Sequence, residues 1–178
     1  MFEKFNYSRR TFNFIGFLIC AALLAYAYYL QLHVGLEPCP LCIFQRIGVI
    51  ILGLLFLLAG LFNFSGRGAR VWAVLIGVFA LAGALTSARH LWIQAHPDAM
   101  AACGPNLGYM LKTLPLFDVI KRVFTGSGDC AIVHWRFLGL SMPGWTLIWF
   151  VLLGVFGVWA NWRHLPGMNV LSSKSQAM

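Results

Sequence analysis

The chain has 178 residues, of which 60% are hydrophobic and only 10% charged, with a formal net charge of +8 at pH 7. A soluble domain carries about 25% charged residues, so this chain has too few to cover itself in water and reads as one domain, residues 1–178, immersed in lipid. Its basic residues are spread through ends and connections rather than gathered in a stripe, which argues against a phosphate-binding surface and nucleic acid as a partner.

Four apolar stretches follow one another: about Phe12–Leu32, Ile43–Phe64, Val71–Leu91 and Trp145–Trp162. Each approaches the roughly 20 residues a helix needs to cross a hydrocarbon core of about 30 Å. Helices satisfy their own backbone groups in lipid, so the fold class expected is all-α, a bundle of four transmembrane helices. Gly48, Gly53, Gly60, Gly77 and Gly83 fit that picture, because small residues let membrane helices approach closely.

Positive charge sets the orientation. Lys4, Arg9 and Arg10 precede the first span, Arg67 and Arg70 sit between spans two and three, and Arg163 and Lys174 follow the last. With four spans these regions share a side, and the positive-inside rule makes that side, with both termini, cytoplasmic. The loop at residues 33–42 lacks Lys and Arg up to Cys42, and the long loop at 92–144 carries too many residues to weigh heavily in the rule. A cleaved signal peptide ending near Ala25-Tyr26-Ala27 is the alternative for the first stretch, but its apolar run exceeds the usual 7–15 residues. The tail from Leu165 is short, polar near its end and terminal, the pattern of a disordered segment.

The two outer connections differ. The loop at 92–144 is long for a structureless connection, which usually signals function. Within it Leu116, Phe117, Ile120, Val123 and Phe124 fall at helical spacing, with Asp118, Lys121 and Arg122 on the other face. That is a short amphipathic helix suited to lying on the bilayer surface, or to packing on the loop's own residues.

Of the five cysteines, Cys20 lies mid-span among Ile19, Ala21 and Ala22 and reads as packing. Cys39, Cys42, Cys103 and Cys130 all fall on the outer side, where disulfides persist. Four cysteines allow three pairings; Cys39-Pro40-Leu41-Cys42 is the close pair, which leaves Cys103 with Cys130. Taken alone, a Cys103–Cys130 bridge is a staple of the order of 3 kcal/mol. A two-residue ring gains little as a staple, and such motifs lower a thiol's pKa. Pro40 suits a first helical turn, so Cys42 sits in the positive field of a helix N-terminus, with Arg46 one turn on and leaning back towards it. A thiolate so stabilised is where electron transfer out of a dithiol begins. Arg46 has a plainer use, snorkelling to headgroups, although intramembrane charge points to function. His90, beside Arg89, is either functional or an interfacial histidine. Glycines flank Cys130 and follow Cys103, which suits mobile cysteines exchanging in relay. No metal site is expected, because Cys103 and Cys130 supply no second zinc half-site; Cu(I) carriage is the competing non-enzymatic use of the cysteines.

The segments Glu37-Pro38-Cys39-Pro40-Leu41-Cys42-Ile43-Phe44-Gln45-Arg46, Gly126-Ser127-Gly128-Asp129-Cys130 and Trp135 to Trp145 resemble the DsbB family of bacterial inner-membrane proteins. The likeness extends over roughly residues 10–162. It implies a protein-dithiol:quinone oxidoreductase that reoxidises a periplasmic DsbA-like partner and so supports disulfide formation in exported proteins. By that resemblance DsbA would form a mixed disulfide at Cys103, Cys130 would exchange with Cys39, and Cys42 would pass electrons to ubiquinone or menaquinone near Arg46, with His90 also near the quinone. DsbA is a strong oxidant, at about −120 mV, so its reoxidation needs an acceptor at least as oxidising. Pro40 and Gln45 depart from the expected surroundings of the motif and bear on redox potential rather than on roles. A paralogue serving one dedicated thiol partner is a related possibility.

Overall fold

A computed structural model describes residues 9–35, 38–64, 66–96, 112, 115, 117–118, 128–131, 133 and 135–162. Its elements are α1 (Arg9–Val34), α2 (Pro40–Phe62), α3 (Arg67–Ala95), a short turn of helix α4 (Gly128–Ala131), a hairpin of β1 (Arg136–Phe137) and β2 (Leu140–Ser141), and α5 (Met142–Trp162). The four long helices are each long and apolar enough to cross a membrane. The all-α, four-span class expected from composition is the one observed. Helices α2, α3 and α5 begin three or four residues earlier than the apolar runs, because polar and proline-bearing first turns carry no hydropathy signal.

Each long helix runs antiparallel to its neighbours around a ring α1–α2–α3–α5–α1. Glycines set the spacing: Gly53 of α2 lies against Cys20 of α1, and Gly77 of α3 against Val158 of α5. The core runs through Leu52, Phe56, Ile76, Phe150 and Leu153, with Cys20 at 1% exposure among them. Cys20 is therefore packing, as its apolar setting suggested. Polar residues are found inside and apolar ones outside. Asn13, Gln45, Ser87, His90 and Asn161 are buried, whereas Leu18, Leu81, Leu85 and Val155 face outward. That inversion is what a lipid solvent imposes on a bundle.

The helix ends explain where the chain turns. Cys39 is the N-cap of α2, with Pro40 in the first turn, and Asn63 closes the helix in the left-handed conformation at φ 43°. Arg9 of α1 donates to the Phe64 carbonyl just beyond, so the arginine-bearing starts of α1 and α3 meet the end of α2 at one end of the bundle. Cys39 and Cys42 lie at the other.

The hairpin was not foreseen. Its strands are two residues long, too short to show period-2 alternation, and its turn places Leu138 (φ 50°) and Gly139 (φ 80°) both in the left-handed region. It is tied down by Trp145 Nε1 donating to the Phe137 carbonyl at 3.1 Å and by Ser141 Oγ donating to Gln94 Oε1 at 2.6 Å. The amphipathic helix expected around residues 116–124 lies mostly outside the described residues; Phe117 and Asp118 are helical and exposed. Cys103 and the tail from Leu165 also lie outside them.

Candidate active site

The site is built on the first turn of α2. With Cys39 as N-cap, its sulfur accepts a hydrogen bond from the Cys42 amide at 3.4 Å, and the two sulfurs are 2.9 Å apart. Cys42 is thus in the first helical turn, where unpaired amides concentrate positive potential.

Cys130 comes to the same place from the long loop. It is 1% exposed and packs with Leu41 and Ile93 under Cys39 and Phe44. The apolar patch at the outer ends of α2 and α3 captures α4 and holds its cysteine down. Three ligand atoms, Cys39 Sγ, Cys130 Sγ and a ring nitrogen of His90, lie within 4.8 Å of one another. Hydrogen bonding with the Cys130 and Cys42 sulfurs, and then burial, push the Cys39 thiol above its ordinary range.

His90 is 2% exposed, packed inside the bundle. Its Nε2 lies 3.7 Å from Cys39 Sγ and 3.2 Å from the Cys130 carbonyl, and its Nδ1 lies 3.3 Å from Gln45 Nε2. The network assigns a neutral ring with Nε2–H donating to that carbonyl and Nδ1 accepting from Gln45. Gln45 Oε1 in turn accepts from Thr146 Oγ1 at 3.1 Å. Thr146 escaped notice in the sequence, and Gln45 stood out there only as a departure within the motif, although a glutamine in an apolar span was the available signal for a site residue.

Arg46 follows Cys42 by one turn of α2. Its side chain is anchored on α1, donating to Gln31 Oε1 and, at 3.3 Å, to the Ala27 carbonyl, with its guanidinium 5.1 Å from the Tyr28 ring centre. Two oxygens and a ring face of α1 thus hold the charge in place.

Beside these groups lies a cavity of about 320 Å³ between α1, α2 and α5. Cys39, Cys42, Gln45, Arg46 and His90 form its polar end, Leu23, Leu30, Val49, Phe150 and Leu153 its apolar depth, and Trp135, Phe137 and Trp145 its hairpin side. Such a pocket, mostly apolar with a few converging polar groups, suits a flat, largely apolar molecule. Cys130 does not line it; Cys42 does. Of the expected site residues, then, Cys39, Cys42, Cys130, Arg46 and His90 converge, and Cys103 falls outside the described residues.

The family model described as "Disulfide bond formation protein DsbB" matches residues 9–160. This chain belongs to the DsbB family. A relative named Disulfide bond formation protein B from Xanthomonas campestris pv. campestris (strain 8004) is 49% identical over 164 residues, covering 91% of this chain and 95% of its own length. Another of that name from Xylella fastidiosa (strain 9a5c) is 48% identical over 150 residues, covering 83% of this chain and 87% of its own. DsbB membership gives the chain a redox role in disulfide bond formation and accounts for its four apolar helices.

Proposed function

We propose that this chain is a membrane protein-dithiol:quinone oxidoreductase, one integral domain of the bacterial inner membrane. It reoxidises a DsbA-like periplasmic dithiol and passes the electrons to ubiquinone or menaquinone. The supporting observation is the position of Cys39, with Cys130 on one side and Cys42 and the cavity on the other. Residues Arg9, Arg10, Arg67 and Arg70 at the opposite end of the bundle favour a cytoplasmic location for that end and a periplasmic one for the cysteines.

In the resting oxidised protein the disulfides are Cys39–Cys42 and Cys103–Cys130. Attack of the partner's thiolate on Cys103 forms a mixed disulfide and releases Cys130 as thiolate. Cys130 attacks Cys39 Sγ, the Cys39–Cys42 bond breaks, and the electron pair leaves on Cys42. A helix N-terminus is a favourable place for that leaving thiolate. The cavity fits a quinone ring, with Arg46, Gln45 and His90 able to hold its oxygens and the apolar depth its tail. The quinone when bound accepts two electrons and two protons. Arg46, fixed by its α1 partners, presents a cation beside Cys42 without having to reorganise.

The test is quinone reduction by a reduced DsbA-like protein. Cys103→Ser should form no mixed disulfide, and Cys39→Ser should stall with the loop reduced. Cys42→Ser, which has no Cys39–Cys42 bond for Cys130 to attack, should leave the loop reduced with no quinone reduced, and Arg46→Ala should slow quinone reduction. Unchanged turnover in Cys42→Ser would rule out this order of exchange.

A further inference from the structure

The spacing argument against a metal site holds only along the sequence. Folding brings to the Cys-x-x-Cys motif two ligands from elsewhere, Cys130 from α4 and His90 from α3. We propose that in the fully reduced protein Cys39, Cys130 and His90 form a binding site for a thiophilic divalent cation of the zinc type, available only when the thiols are reduced.

The three ligand atoms lie within 4.8 Å of one another. Tetrahedral zinc with Zn–S of about 2.3 Å and Zn–N of about 2.0–2.1 Å sets sulfur and nitrogen ligands roughly 3.6 Å apart. Cys39 Sγ and His90 Nε2 are 3.7 Å apart, so this edge is already at coordination length. A thiolate-rich set with one imidazole selects zinc over calcium or magnesium, which take oxygen ligands.

The imidazole needs its Nε2 lone pair, and the hydrogen-bond network allows it. If the Gln45 carboxamide turns over, Nδ1–H donates to Gln45 Oε1. Gln45 Nε2 then donates to Thr146 Oγ1, which keeps its own donation to the Pro143 carbonyl at 2.9 Å. A metal-bound histidine whose other nitrogen is held by such a partner is the usual arrangement. The cost is the contact between His90 and the Cys130 carbonyl. Entry is available, because Cys39 and His90 both line the cavity.

Binding converts two thiols to thiolates and releases two protons, with no change of oxidation state. A Cys39–Cys42 or Cys103–Cys130 disulfide removes a ligand, so the metal and the oxidised state exclude each other. Zinc would thus hold the protein reduced and stop exchange. The site needs only reduced thiols and does not depend on the quinone or the partner proposed above.

The test uses the full-length chain in detergent micelles, reduced with a phosphine and desalted without oxygen, then titrated with Co2+ and competed with Zn2+. One Co2+ should bind per reduced chain, with the thiolate charge-transfer and ligand-field bands of a four-coordinate S/N site, and Zn2+ should displace it. The oxidised chain should show none. Cys39→Ser, Cys130→Ser and His90→Ala should each weaken binding at least tenfold, and Gln45→Leu by about tenfold through loss of the Nδ1 partner. Cys20→Ser should change nothing. The proposal is overturned if no such bands appear. It also fails if His90→Ala and Cys130→Ser bind as wild type while Cys42→Ser does not, which would mark a simple Cys39–Cys42 chelate. Because the readout is a spectrum, a folded but inactive variant still gives an answer.

Discussion

Replacing Gly83 by alanine sets two opposed effects against each other. Inside a helix alanine is favoured over glycine by about 0.5–1 kcal/mol, because glycine loses more backbone freedom on ordering. At Gly83, however, a Cβ would lie 2.5 Å from Cζ of Phe150 and closer still to Cε1. That ring is 1% exposed, and the same edge of it faces Gly48, where a Cβ would meet Cζ at 3.2 Å. Phe150 is wedged between two glycines of α2 and α3, and the open direction left to it is the cavity it lines. Overpacking of this kind costs about 1–3 kcal/mol, so it outweighs the propensity gain and leaves a net loss of about 1–2 kcal/mol. The displaced ring should also narrow the cavity and raise the KM for quinone. Denaturant unfolding in micelles, followed by tryptophan fluorescence, measures the first effect, and quinone titration the second. Adding Phe150→Leu to Gly83→Ala makes room for the new methyl. The double variant should therefore lose about 1 kcal/mol less than the sum of the singles. If Gly83→Ala is as stable as wild type and its KM is unchanged, Phe150 is not wedged there and the reasoning fails.

At the other end of the bundle Asn13 and Asn161 exchange side-chain hydrogen bonds at 3.1 and 2.9 Å, joining α1 to α5 inside the apolar span. Either change to alanine strands a buried amide and should cost about 1–2 kcal/mol, whereas the double change should cost little more than one single. Additive losses in a double-mutant cycle by denaturant titration would show that the amides are not coupled. A third expectation concerns reduced Cys39, whose thiol is held above its ordinary range first by hydrogen bonding with the Cys130 sulfur. A raised pKa keeps the thiol protonated as pH rises. Alkylation of Cys39 by iodoacetamide should therefore keep accelerating above about pH 9, where a thiol of ordinary pKa, about 8.5, levels off. Cys130→Ser removes the leading cause and should bring the levelling to lower pH. A plateau near pH 8.5 in the wild-type chain would contradict the geometry.

Much of the site was legible as chemistry but not as geometry. Cys39 and Cys42 could be placed at a helix start because Pro40 and the apolar run after it mark that start locally. Arg46 could be placed on the Cys42 face of α2 by spacing, but its anchors, Gln31 and the Ala27 carbonyl, lie on α1. Neighbours on another helix leave no trace in the spacing along one helix. The burial of Cys130 left no sign near it in the chain, because the apolar seat that Leu41 and Ile93 supply lies far from it in sequence. His90 could not be separated from an interfacial histidine, since its burial depends on α4 and Gln45 arriving over it.

Composition and periodicity by themselves determined that this chain is a four-helix membrane protein and that Cys39, Cys42 and Cys130 share an end of the bundle. Those properties follow from summed transfer energies and helix length, which need no knowledge of contacts. Tertiary structure decided that Cys39 has the other two sulfurs as neighbours, that His90 and Gln45 close over it, and that a cavity opens beside Cys39 and Cys42 but not beside Cys130. These are distances between groups tens of residues apart, set by where glycines let helices touch. The resemblance in sequence could name the thiol chemistry. Only the packing of α4 against α2 and α3 brings Cys130 to it.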